Sequence, residues 1–239
     1  MFNQYLKHSR TTILFVMMLG AFIIMSIFLP GKFLTLSNFQ SIASQIPEFG
    51  LLAIAIMLAM LTGGIDLSII STANLAGVGA ALMLTKYSLP QFGVYEESYL
   101  IFLAIVSAIS ISLLCGLING LLIAYIKIPA ILANLGTMSI FSRIAIVITK
   151  GYGIQGFPEK FLFIGSGTIL AIPMPMIIFI VFILLMSLIL NRTSYGFNLY
   201  MLGSNPVASR FSGINNRGIL VRTYILSGLC SGLASIIMA

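Results

Sequence analysis

The chain has 239 residues, of which 59% are hydrophobic and only 7% charged, with a formal net charge of +7 and a mean hydropathy of +1.13. That balance excludes an ordinary soluble domain and describes a multi-span membrane protein. The basic residues stand singly in connecting segments rather than in clusters with aromatics, so the positive excess excludes a nucleic-acid surface.

A membrane helix needs about 20 apolar residues. The sequence predicts about seven spans: Thr12 to Leu29, Pro47 to Thr62, Leu67 to Thr85, Tyr99 to Ile126, Ile131 to Thr149, Met174 to Leu190 and Thr223 to Ala239. The fold class is therefore all-α, a polytopic membrane helix bundle, with residues 1–239 read as one transmembrane domain. The second span is short, and the fourth is long enough to tilt or break. The first begins on a basic stretch, Lys7 to Arg10, as a signal peptide does, but it ends in Ile-Phe-Leu-Pro-Gly-Lys without a small-residue cleavage pattern. It reads as an uncleaved anchor. With the amino terminus in the cytoplasm, Lys7, Arg10, Lys127, Arg192, Arg210, Arg217 and Arg222 fall inside and Lys32, Lys86, Lys150 and Lys160 outside. This distribution obeys the positive-inside rule, and the parity of six spans also places the Arg-rich loop inside.

Between the second and third spans stands Gly63-Gly64-Ile65-Asp66-Leu67-Ser68, with the only aspartate. Two glycines break the helix, and Asp66 can restart it by accepting the free amides at the next helix start. A cap and a broken-helix element lining a transport route both remain open. Further on, Ser71 and Asn74 share a helix face with Gly77, Ser112 shares one with Asn119, and Asn134 shares one with Thr137 and Phe141. Amide and hydroxyl groups beside a ring suit a sugar, through directed hydrogen bonds and an apolar stacking surface. The same residues can equally bind helices to one another. The small-residue spacings Gly116 to Gly120 and Gly228 to Gly232 predict close helix packing. Cys115 and Cys230 lie in spans without paired spacing, so neither a disulfide framework nor a metal site is indicated.

Arg143 lies well inside the fifth span, where facing lipid costs about 2.5–3.5 kcal/mol. A buried partner or a snorkelling side chain is expected. Gly151 to Gly156 matches G-x-G-x-x-G, but it follows a membrane helix instead of a strand and reads as a turn. Glu96, Glu97 and Glu159 read as solvated loop charges. No G-x-x-x-x-G-K-[ST] phosphate loop occurs, so the chain carries no ATP-hydrolysing site of its own, and His8 is the only histidine. No catalytic residue, cofactor or metal is predicted.

The longest polar segment, Asn191 to Arg222, contains Arg192, Arg210, Arg217 and Arg222 and no acidic residue. Asn205 can cap a helix, Pro206 suits its first position and Gly213 its left-handed stop. Val207, Phe211 and Ile214 are expected on one face, with Arg210 elsewhere. So short a helix cannot hold itself together in water, and its apolar face implies a partner surface.

Gly63 to Ser68, followed by Ile69-Ile-Ser-Thr-Ala-Asn-Leu-Ala-Gly77, resembles the Gly-Gly-Ile-Asp-Leu-Ser signature of the ribose/galactose-type ABC transporter permeases. Asn119-Gly120, Ile128-Pro129 and Leu135-Gly136-Thr137-Met138 resemble the next block of that family, and Gly203 to Ile214 resembles its cytoplasmic loop. The resemblance implies a bacterial importer subunit for a sugar or a sugar-like solute such as autoinducer-2. It implies a separate ABC ATPase, a periplasmic or lipid-anchored binding protein and a second permease subunit, identical or related, all at the cytoplasmic (inner) membrane. Gly203, Ala208, Ser212, Gly213 and Ile214 would then belong to the ATPase-coupling element, and Gly63, Gly64 and Asp66 to the signature turn. Ser71 lies in Ile-Ile-Ser-Thr where many members of that family have Val-Gly-Ser, and Asn134 replaces a common threonine before Leu-Gly-Thr. The family continues through further spans beyond the position of Ala239, so the chain is expected to be the front part of a longer permease. The rival reading, a secondary transporter or channel for a small polar solute, predicts internal repeats and membrane-embedded ion ligands.

Overall fold

In lipid no water is available to backbone amides and carbonyls, so each apolar run must pair its polar groups within itself, and helices result. A computed structural model describes residues 9–86, 94–170 and 172–238. Lys7 and His8 of the basic tail and the terminal Ala239 lie outside the described residues, as do the side chains of Arg10, Lys86 and Glu96. The helices in chain order are α1 (Ser9–Phe28), α2 (Pro30–Phe33), α3 (Leu36–Leu61), α4 (Ile69–Lys86), α5 (Val94–Ala124), α6 (Ala130–Thr149), α7 (Glu159–Ser166), α8 (Met174–Arg192), α9 (Ser194–Ser204), α10 (Pro206–Phe211) and α11 (Asn216–Met238). Two short antiparallel strands, β1 (Thr168–Ile169) and β2 (Ile172–Pro173), separate α7 from α8. Five helices, α3, α5, α6, α8 and α11, are long and apolar enough to cross a membrane, and shorter apolar stretches lie in α1 and α4.

All seven expected spans thus fall on helices, with three differences. The second was expected to start at Pro47, but α3 starts at Leu36 and carries Pro47 buried in its interior. Packed neighbours let a membrane helix tolerate such a residue, so the proline marks no boundary. The fourth is an unbroken helix of 31 residues, with no proline to interrupt it. The seventh begins at Asn216 instead of Thr223 because Asn215 caps it, its Oδ1 accepting from the Gly218 amide at 3.1 Å.

The described chain divides into two compact units, Met1–Ala43 and Ser44–Ala239. In the first, Phe22 of α1 meets Phe33 of α2 edge to face at 5.2 Å. In the second, α11 is the most enclosed spanning helix, and it packs against α5 and α4. The approach to α5 depends on the predicted glycines. Gly116 and Gly120 lie against the α11 backbone at Tyr224 and Val221, while Gly228 and Gly232 lie against Ser112 and Gly116. Against α11, Leu51, Leu58, Phe182, Met186, Leu199 and Cys230 belong to the largest buried apolar cluster among the described residues, which joins α3, α4, α8, α9 and α11.

A Cβ at Gly116 would run into the Tyr224 carbonyl, which is backbone and cannot rotate away. Gly116→Val is therefore expected to cost about 1–3 kcal/mol, the range for an overpacked core, and to lower the thermal unfolding midpoint of the purified protein. Gly136→Val, whose Cβ meets nothing within 4 Å, is the control and should unfold at the wild-type temperature.

Candidate functional site

The signature turn is held from several sides. Gly63 turns the chain with φ +81, a conformation glycine adopts without steric cost. Gly64 leaves room for no side chain, because its Cβ would stand 2.9 Å from the Tyr224 hydroxyl and 3.0 Å from Ala130. Asp66, only 3% exposed, takes two bonds at Oδ1, from the Ser68 amide at 3.0 Å and the Ser68 hydroxyl at 2.7 Å. Its Oδ2 accepts from Ser227 of α11 at 2.9 Å. Asn119 of α5 donates to the Ser68 hydroxyl at 2.7 Å, and Asn134 of α6 donates to the Ile65 carbonyl at 2.7 Å. The turn between α3 and α4 is thereby tied to α5, α6 and α11 through buried polar side chains. Tyr224 neighbours the Asn134 amide, just outside hydrogen-bonding geometry.

The other polar residues singled out in the sequence separate into two environments. Ser71 is buried and donates to the Ser68 carbonyl at 2.8 Å, and Ser112 is buried at the α5–α11 crossing. Thr137 is buried beneath Asn134, and Phe141 packs with Leu75, Cys115 and Ala145. Asn74 and Gly77 instead line a groove of about 480 Å³ between α4, α6, α11 and the segment after α6. Thr149, Ser235 and the rings of Tyr152 and Phe157 line it too. Its volume lies within the ordinary range of small-molecule pockets, about 300–1,000 Å³. With the exposed Asn74 amide and Tyr152 hydroxyl beside aromatic rings, it can receive a compact polar solute.

Ser227, Ser235, Tyr224, Tyr152 and Phe157 were not singled out from the sequence. Ser227, Ser231 and Ser235 recur every fourth residue in an apolar span; that stripe is the signal that could have found the first two. Gly151 and Gly156 have φ +78 and +90, as the turn reading of their segment requires. Glu97 is not simply solvated, since it pairs with Lys160 at 3.2 Å and ties α5 to α7. Glu159 is exposed. Arg143 has neither the expected buried partner nor any ion pair or hydrogen bond among the described residues, and its side chain is exposed on α6.

At the opposite end of the groove-bearing bundle, the polar segment is mostly helical. Thr193 caps α9, a helix within the predicted polar loop, by accepting from the Gly196 amide. Tyr195 bonds Thr223 of α11 at 2.7 Å, and burial pushes its phenol above the ordinary tyrosine range. Gly203 lies against the Leu61 carbonyl at the end of α3, too close for a Cβ. The short helix α10 forms as predicted: Asn205 accepts from the Val207 and Ala208 amides at 3.0 Å each, Pro206 stands first and Gly213 has φ +80. Ser209, buried, donates to Asn216 at 2.7 Å, and Asn216 donates to the Pro206 carbonyl at 2.8 Å, locking α10 onto α11. Val207 and Phe211 are 64% and 89% exposed, with Ala208, Arg210 and Ser212 also exposed. Ile214 does not continue their face. The helix ends at Phe211, and the turn at Gly213 sends Ile214 inward against the core.

The polytopic bundle thus carries a solute-sized groove toward one end and, at the other, a short helix with Val207 and Phe211 exposed. The chain belongs to the BPD_transp_2 family, the permease component of the branched-chain amino acid transport system type, whose profile matches residues 38–239. It is 31% identical over 195 residues to "Autoinducer 2 import system permease protein LsrD" of Enterobacter sp. (strain 638), covering 79% of this chain and 56% of that protein. It is 34% identical over 199 residues to "Galactofuranose transporter permease protein YtfT" of Escherichia coli (strain K12), covering 83% of this chain and 55% of that protein. The chain thus spans about half the length of the curated relatives it matches. No solved structure matches it.

Proposed function

We propose that this chain is the membrane permease of a binding-protein-dependent ABC importer, moving a monosaccharide or sugar-like solute across the bacterial cytoplasmic membrane while a separate ATPase supplies the energy. The observation that carries this reading is α10: a six-residue helix, pinned by Asn205 and the Ser209–Asn216 bond, that presents Val207 and Phe211 bare to the outside. A rigid lever with an uncovered apolar tip fits a partner that pushes. The amino terminus is cytoplasmic, α10 docks on the ATPase there, and the groove around Asn74 receives solute from the binding protein at the other face. A second permease subunit, a second copy or a related chain, completes the path.

The chain's own contacts supply a route from lever to groove. Gly203 rests on the last carbonyl of α3, and α11 holds Asp66 through Ser227. The coupling segment therefore grips the Gly63–Ser68 turn from both directions, and the helix after that turn, α4, lines the groove. Gly63, Gly64, Asp66, Asn119 and Asn134 act in this reading as the joint, and Asn74 as a contact along the path. Asp66 is fully engaged by Ser68 and Ser227, which speaks against its serving as the ion ligand of a secondary transporter.

Affinity purification from native membranes should recover an ATP-hydrolysing subunit with the permease. A Val207→Cys variant should react with a membrane-impermeant thiol reagent only after the cells are opened, with the buried Cys115 and Cys230 silent. Labelling of intact cells, or purification without any ATPase, would reject the assignment.

A further inference from the structure

We propose that the outward face of α6 around Arg143 is a binding site for an anionic phospholipid, with the guanidinium on the headgroup phosphate. Arg143 sits beside a shallow groove of about 440 Å³ lined by Ser139, Ile140, Ile144, Val147 and Ile148. The four aliphatic residues are 57%, 42%, 76% and 45% exposed in that order, so nothing among the described residues covers them. A branched apolar trough with one cation in it matches an acyl chain ending in a charged head.

The depth is appropriate. Arg143 stands six residues before the end of α6 at Thr149, about 9 Å along the axis at 1.5 Å per residue. Its long side chain can bring the charge close to the headgroup layer while its stem stays among the aliphatics. Lys150, exposed directly after the helix, adds a second cation at that edge. The acyl chain would then run toward Ser139 and the bilayer centre.

Charge also argues against a second copy of this chain as the occupant. A two-fold contact centred on this face would set Arg143 against Arg143. No acidic residue lines the groove to neutralise that pair. A lipid phosphate can do so without rearranging the bundle.

The test is native mass spectrometry of the full chain in mild detergent, incubated with equal amounts of dioleoylphosphatidylglycerol and dioleoylphosphatidylcholine. The glycerol lipid should be retained about fivefold over the choline lipid, the pull of one cation on anionic lipid. Arg143→Gln should level the two, and Arg143→Lys should keep most of the preference. Ile144→Trp, which fills the groove and leaves the charge, should reduce retention of both lipids. Equal retention by wild type, or an unchanged preference in Arg143→Gln with a wild-type elution profile, would overturn the site. Efficient cross-linking of Val147→Cys to a second copy in native membranes would overturn it as well, since protein would then cover the face.

Discussion

Phe211→Asp is expected to stop solute uptake while leaving the permease folded and in the membrane. Phe211 is 89% exposed, so replacing it should change the stability of the bundle by no more than about 0.5 kcal/mol. Its role under the proposed function lies in the partner, where an aromatic anchor in a desolvated pocket contributes at least about 2 and up to about 4 kcal/mol. That loss corresponds to roughly 30- to 1,000-fold weaker docking, and burying an unpaired carboxylate adds to it. Uptake in proteoliposomes containing the assembled importer should fall accordingly, with the ATPase recovered poorly on the variant permease. A bulky residue at Gly213 should act differently. With φ +80 at that position, a side chain strains the turn that orients α10, so the ATPase stays bound but hydrolysis and uptake separate. Uptake at wild-type rates in both variants would remove α10 from the coupling path.

Much of this architecture was legible because lipid enforces simple rules. Runs of apolar residues became helices, and the Gly116–Gly120 and Gly228–Gly232 spacings became the α5–α11 crossing. The cap, first-turn proline and left-handed stop of α10 are local chemistry and came through intact. Pro47 marks no helix start, because packed neighbours let a membrane helix carry a proline in its interior. The helix α9 was hidden because its polar and apolar residues fall on no clean face, and its formation depends on packing Leu199 and Leu202 into the core. Asn119 and Asn134 were recognisable as chemistry-bearing side chains. Their partners were not, because the Ser68 hydroxyl and the Ile65 carbonyl lie far away in sequence, and one-dimensional spacing carries no trace of that contact.

Asp66→Ala should be the most destabilising polar substitution in the bundle. The carboxylate satisfies the Ser68 amide, the Ser68 hydroxyl and the Ser227 hydroxyl, and each donor left buried without a partner costs about 1–3 kcal/mol. Removing the carboxylate also removes its own desolvation penalty, and the serine hydroxyls can rotate toward backbone carbonyls, so the net loss is expected near 2–4 kcal/mol. Asp66→Asn keeps one acceptor but turns an amide donor toward a donating neighbour, and should lose about half as much. Ser227→Ala alone deletes a single bond and leaves Asp66 with its two contacts to Ser68, so about 1 kcal/mol is expected. The informative measurement is the thermal-unfolding cycle of the two sites. If the bond between α11 and the turn is made as described, the double variant should lose less than the sum of the single losses by about 0.5–3 kcal/mol. Strict additivity would mean that Asp66 stabilises only its own turn. The coupling segment would then hold the Gly63–Ser68 joint through Gly203 and Leu61 alone, and Ser227→Ala should leave uptake untouched.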